Sequence, residues 1–185
     1  IRAFDEDGGE RWSTTVPSGV TQLSSDALGG VLALVGAADG SPESYTLRSL
    51  SSDGVARGVA SGLRSGGFAI HPDGPVYVVS GNMLVGLDVG MGAGRSASLP
   101  ANTSAAGTPT IMVDGTVVVP VVTSESSTES GNEYYVFEPD IQVLLLPPEG
   151  PPRVQTIPNV GYTPWSSIVP FKAIPNGHGG LIVAW

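Results

Sequence analysis

The hydrophobic positions of this chain fall in short runs set apart by glycine. Four runs of five residues or fewer stand out: Val-Leu-Ala-Leu-Val at 31–35, Val-Tyr-Val-Val at 76–79, Val-Val-Val at 117–119 and Leu-Ile-Val-Ala at 181–184. Each follows a more polar, alternating stretch that ends on a glycine: 21–30, 67–74, 109–115 and 171–180. Alternation followed by a β-branched run predicts paired strands. The dipeptides Gly29-Gly30, Asp73-Gly74, Asp114-Gly115 and Gly179-Gly180 predict two-residue hairpin turns, because glycine takes positive φ without steric cost.

A second family of segments lies between these. Residues 1–8, Ile-Arg-Ala-Phe-Asp-Glu-Asp-Gly, align without a gap on 47–54, Leu-Arg-Ser-Leu-Ser-Ser-Asp-Gly; 84–88 and 134–138 are expected in the same slot of later copies. A short strand that opens with arginine follows each: Arg11, Arg57, Arg95 and Arg153. These arginines either cap the outer strands or reflect composition alone. The unit is four strands, A to D, in roughly 40 to 46 residues, which is the period of a propeller blade.

The B runs are apolar without a break. A strand that packs on one face only would alternate, so these are expected to be covered on both faces, as in a stack of blades rather than a sandwich. The expected fold is therefore all-β, a β-propeller of four-stranded antiparallel blades. Residues 1–16 read as a C–D half blade, 17–63 and 64–100 as whole blades, 101–169 as a blade with insertions, and 170–185 as an A–B half blade. That makes about four blade-equivalents in a single domain or segment. Two arrangements compete: a piece of a larger ring, which is the expected one, and a four-bladed ring in which the terminal halves pair. The opening on Ile1 inside a strand suggests a processed or excised piece. Within 101–169 the surplus length is assigned to a polar tip at 123–132, a stiff polyproline stretch at 147–152, and irregular chain at 158–165.

Composition narrows the function classes. Gly 26 and Pro 16 among 185 residues fit a turn-rich fold, and 41% hydrophobic residues supply a core. Eight bases against 17 acids leave a net charge of −9. A polyanion would be repelled, so neither nucleic acid nor an anionic membrane surface is an expected partner. The chain has no cysteine, which removes disulfides, zinc-thiolate sites and thiol nucleophiles. No apolar stretch reaches the length of a membrane span.

The segment Ala3-Phe-Asp5-Glu-Asp-Gly-Gly9-Glu-Arg-Trp12 resembles the repeat of the pyrroloquinoline-quinone-type (PQQ-like) propellers, whose Ala-x-Asp…Gly…Trp pattern docks its tryptophan on the next blade. Here Trp12 stands one residue early, and Val59, Ala97 and Gln155 lie near that place in the other C–D units. Residues 176–185 look like a strand pair common in secreted bacterial propellers. The resemblance implies the fold, and a secreted, periplasmic or cell-surface location. It implies no catalytic site, because a quinone enzyme needs a larger ring and calcium-binding acids that have no counterpart placed here.

Three groups of residues are candidates for chemistry. Asp5, Asp7 and Glu10 put oxygen ligands at near-alternate positions on a glycine turn, which suits Ca²⁺, although the full twelve-residue calcium loop is absent; the bland alternative is an acidic hairpin turn. His71 and His178 sit in equivalent A–B turns and would share one rim, where they could face a ligand or a metal; the alternative is two solvated turn histidines. Tyr162 and Trp165, in the irregular insertion, would form an aromatic patch for a glycan or a protein. Residues 90–94, Gly-Met-Gly-Ala-Gly, resemble a phosphate loop superficially, but no helix follows. No cofactor is expected apart from calcium. The reading is a non-enzymatic scaffold that binds protein or glycan and is completed by a second fragment or chain. The alternative is a fragment of a propeller enzyme, a quinone-type dehydrogenase or a hydrolase, with its catalytic residues elsewhere.

Overall fold

A computed structural model describes residues 1–37, 44–63, 67–105, 107–123, 129–130, 133–134, 141–157, 172–176 and 180–184. Every regular element among them is a strand. The first sheet pairs β1 (Arg2–Phe4) with β2 (Glu10–Ser13). The second has four antiparallel strands in sequence order, β3 (Val20–Ser25), β4 (Val31–Val35), β5 (Tyr45–Leu50) and β6 (Ala56–Leu63). The third also runs in sequence order: β7 (Phe68–Ile70), β8 (Val76–Ser80), β9 (Met83–Leu87) and β10 (Ala97–Ser98). In the fourth, β11 (Thr103–Ala105) and β12 (Thr110–Ile111) follow one another along β13 (Val117–Thr123). A small pair, β14 (Glu129–Ser130) and β15 (Glu133–Tyr134), precedes its remaining strands, β16 (Ile141–Leu146) and β17 (Arg153–Ile157). The last sheet pairs β18 (Lys172–Pro175) with β19 (Leu181–Ala184). The protein is all-β, built of small antiparallel sheets, none of them closed on itself among the described residues.

Residues Ile1–Ser96 form one compact unit and Ala97–Trp185 a second. In the first unit, Leu32 and Leu34 of β4, Leu47 of β5 and Leu63 of β6 pack against Phe68 of β7, Val76 and Val78 of β8 and Leu87 of β9. Each such side chain withdrawn from water contributes about 1.5–3 kcal/mol. In the second unit Val118 and Val143 form a core with Met112, Leu145 and Ile157. The runs at 32–35, 76–79 and 117–122 are buried at every residue. Successive side chains of a strand point to opposite faces, so β4, β8 and β13 are covered on both sides, as their unbroken apolar sequence requires.

One register recurs in the second, third, fourth and last sheets; the small β14–β15 pair, with Ser130 opposite Glu133, does not share it. Counting from the first residue of the turn between the first two strands, the residue before it pairs with the residue five after: Ser25 with Val31, Ile70 with Val76, Ile111 with Val117 and Pro175 with Leu181. That same residue five after pairs, on its other side, with the last residue before the next turn: Val31 with Leu50, Val76 with Leu87 and Val117 with Leu146.

The turns whose residues are all described explain this constancy, and they differ from the expected two-residue type; residues 177–179, in which the expected Gly179-Gly180 turn falls, lie outside the described residues. In each, the first residue donates its N–H to the carbonyl of the fifth and accepts from the N–H of the fourth: Asp26 with Gly30 and Gly29, Ser51 with Val55 and Gly54, His71 with Pro75 and Gly74, Asp88 with Gly92 and Met91. Asp5 and Met112 head the same five-residue loop. This is a type I turn closed by a left-handed residue, so a single positive φ is needed, at the fourth place. Gly29 supplies it at +72°, and Met91 does so at +67° without being glycine. Gly30, the second glycine of its pair, serves a different purpose: a Cβ there would lie 2.2 Å from the Leu50 carbonyl oxygen and from the Arg57 guanidinium.

The fourth sheet departs from expectation in two further ways. Its third strand is Ile141–Leu146, not 134–138, because the register places Leu146 opposite Val117. The polyproline stretch at 147–152 is no extended insertion. It links β16 directly to β17 and carries Gly150 at φ +84°, in the place of the left-handed turn residue.

Candidate functional site

Where the first residue of a turn is polar, its side chain is engaged by the loop it heads; Met112 is the apolar exception. Asp5 Oδ1 accepts from the N–H of Asp7 at 3.1 Å and of Gly9 at 2.6 Å. Asp26 Oδ1 accepts from Leu28 and Gly30 at 2.8 and 2.7 Å, and Asp88 Oδ1 from Gly90 and Gly92, both at 2.8 Å. His71 does the same job with a ring nitrogen, its Nδ1 accepting from Asp73 N–H at 3.2 Å. Asn176 accepts from Gly180 at 2.9 Å. These are local side-chain to backbone bonds that favour a turn over a continued strand.

The sequence candidates can be placed against this. Asp5 and Asp7 lie in the first turn, and Glu10 is directed at Arg2, 3.3 Å away on the paired strand. Among the described residues no group of three His, Asp or Glu side chains is close enough to hold a metal ion, so Asp5, Asp7 and Glu10 are not brought together as a ligand set. His71 stands beside Asp73, with Nδ1 3.5 Å from its carboxylate. His178, Tyr162 and Trp165 lie outside the described residues. At 90–94 the amides of Gly90 and Gly92, which a phosphate would need, are already held by Asp88.

The structure adds groups that sequence reading passed over. Among the described residues Asp26 is the only charged one that is buried, and its Oδ2 meets Arg57 Nη2 from β6. The same Nη2 donates to the Leu50 carbonyl at 2.8 Å. Arg57 thus ties the outer strand to the turn between β3 and β4. Its neighbours in the arginine series differ, Arg11 and Arg153 being exposed. Gln22 of β3 reaches the following sheet, donating from Nε2 to the Phe68 carbonyl at 3.0 Å and accepting from Phe68 N–H at 2.9 Å.

Two junctions repeat between an outer strand and the turn of the following sheet. Trp12 of β2 lies against the turn between β5 and β6, with Nε1 donating to the Ser52 carbonyl at 2.7 Å and the indole over Gly54. In the next pair Gly58 of β6 stands at the place of Trp12, one residue after the arginine. A Cβ there would lie 2.1 Å from the carbonyl oxygen of Gly90 in the turn after β9. One junction is filled by an indole and the other by direct backbone approach.

Among the described residues no helix is long and apolar enough to cross a membrane. No family model matches the chain, and no curated protein does. Among solved structures it is similar to a protein of unknown function from Bacteroides caccae, at 13% identity and a TM-score of 0.35. The likeness covers 72% of this chain, which spans about half (51%) of that protein's length.

Proposed function

We propose that the chain is a non-enzymatic β-propeller scaffold of a secreted or cell-surface protein, one that presents a binding surface for a glycan or a protein. The observation that carries this reading is the recurring register. Sheets whose turns and rungs coincide, and whose central strands are buried on both faces, are built to stack side by side. The PQQ-like pattern ending at Trp12 supports it, since that indole sits on the turn of the following sheet. The turn carboxylates and His71 are engaged by their own backbone amides, which favours a structural use for them.

The binding surface is assigned to Tyr162 and Trp165. Aromatic side chains in a long connection between strands give large contact area at low entropic cost. The test is an array of soluble oligosaccharides, with calorimetry on each hit, followed by a peptide array. Tyr162→Ala and Trp165→Ala are each expected to weaken the best hit about tenfold or more, as the loss of a hot-spot aromatic does. Unchanged affinity in the double variant would remove the assignment.

A further inference from the structure

We propose that Met91 is a site of reversible oxidation, and that conversion of its thioether to the sulfoxide loosens the junction between the second and third sheets. The inference goes beyond the binding role and depends on no ligand. Both sheets lie inside the first compact unit, so it rests on packing within that unit alone.

Two junctions of one plan are built with large and small exchanged. In the first, the strand residue Trp12 is large and the turn residue facing it, Gly54, is small. In the second, the strand residue is Gly58, and Met91 holds the turn place that Gly54 holds before it, the fourth. Met91 Cγ lies 3.0 Å from where a Cβ on Gly58 would stand, beside the Gly90 carbonyl. The rest of the side chain packs against the core that the two sheets share.

The backbone at this place disfavours a side chain. In the other turns of this kind whose residues are described, glycine holds the fourth place, as Gly8, Gly29, Gly54, Gly74 and Gly115, each at positive φ. Met91 takes φ +67° with a Cβ in place, a left-handed conformation that is costly for any residue but glycine. The contacts of its side chain with the core and with Gly58 offset that cost, and an unbranched thioether suits such an irregular gap. Met91 is half-buried, so its sulfur is packed and yet within reach of a small oxidant. Hydrogen peroxide transfers one oxygen to Sδ: the O–O bond breaks, an S–O bond forms, sulfur loses two electrons and the peroxide leaves as water. The sulfoxide is polar and needs a hydrogen bond that an apolar core does not supply. Once the packing is lost, nothing offsets the left-handed backbone. A methionine sulfoxide reductase reverses the step, two thiols of the reductant leaving as a disulfide and the oxygen as water.

The chain has three methionines and no cysteine, so dilute hydrogen peroxide gives a readable product. Met83, 36% exposed, and Met112, packed on the core of the second unit, are the internal controls. The folded 185-residue chain is treated with peroxide, mapped by peptide mass spectrometry and melted. Oxidation at Met91 is expected to lower the melting temperature by about 2–4 °C or more, as an unsatisfied polar group does in a chain of this size. Treatment with a methionine sulfoxide reductase and a thiol is expected to restore it. Met91→Leu is expected to abolish the fall. Met83→Leu with Met112→Leu, volume-conserving swaps that leave Met91 as the sole methionine, is expected to keep it. The second variant decides the matter if Met91→Leu does not fold. Hydrogen exchange gives the local readout, with the amides of 88–92 expected to exchange faster after oxidation. Met91 left unoxidised in folded protein while Met83 is converted, an equal fall in Met91→Leu, or no fall in the sole-methionine variant once Met91 is mapped as sulfoxide overturns the proposal.

Discussion

The indole nitrogen of Trp12 donates to the main-chain carbonyl of Ser52, 40 residues on, and the ring lies where a side chain on Gly54 would be. The contact joins an outer strand to a turn that is itself fixed by five-residue loop geometry. Trp12→Phe keeps most of the ring and loses the hydrogen bond, so it is expected to cost about 0.5–1.5 kcal/mol. Gly54→Ala is expected to cost more, because its Cβ would meet the ring at 2.6 Å and its backbone sits at φ +78°. Urea unfolding followed by tryptophan fluorescence measures both. Equal stability of Gly54→Ala and wild type would remove the junction from the account.

Gly58 makes the equivalent junction with no side chain at all. Gly58→Ala is expected to destabilise by about 1–3 kcal/mol, since the obstacle is a backbone carbonyl, which cannot rotate aside. Gly36→Ala is the matched control, its Cβ having nothing nearer than 3.7 Å. Thermal unfolding of the two variants should separate them; a Gly58→Ala chain as stable as Gly36→Ala would contradict the close approach.

The pair Asp26–Arg57 links the outer strand of the second sheet to its first turn. The Asp26 side chain is fully buried and that of Arg57 only 22% exposed. Arg57→Ala would leave a buried carboxylate held by two amides alone, and removing one partner of such a pair costs about 3–5 kcal/mol. Arg11→Ala, at an exposed position of the same series, is expected to fall within about 0.5 kcal/mol of wild type. Chemical denaturation that finds the two variants alike would refute the distinction.

Ser51 heads its loop less well than Asp5, Asp26 or Asp88 do. Its hydroxyl accepts from Val55 N–H at 3.1 Å, whereas each aspartate holds two amides. Ser51→Asp is expected to stabilise by about 0.5 kcal/mol through the second bond. A melting temperature that falls would show that the carboxylate does not reach both amides.

Much of the strand plan was legible in the sequence, and the reasons are specific. Val31–Val35 and 76–79 read as strands covered on both faces because burial on both sides demands unbroken apolar sequence, and the structure has them so. The turn type differs from the two-residue expectation because Gly29-Gly30 looks like two positive-φ residues, while only Gly29 is left-handed and Gly30 is small to admit Arg57. Residues 134–138 outcompeted Ile141–Leu146 for the third strand of the fourth sheet because both are apolar, and only the rung to Val117 decides between them. The Asp26–Arg57 and Gln22–Phe68 links join residues far apart in sequence, and no local pattern announces such a pair. Of the candidate site residues, the sequence located the turn position of Asp5 and His71 but not the amides that occupy them.

The connections between second and third strands differ greatly in length: Val35 to Tyr45, Ser80 to Met83, and Thr123 to Ile141. The rungs on either side do not move in response. That end of each sheet is thus the place where new sequence can be spliced in without a structural penalty. A peptide grafted between Ser80 and Met83, the shortest of the three links, would be carried on an unaltered frame.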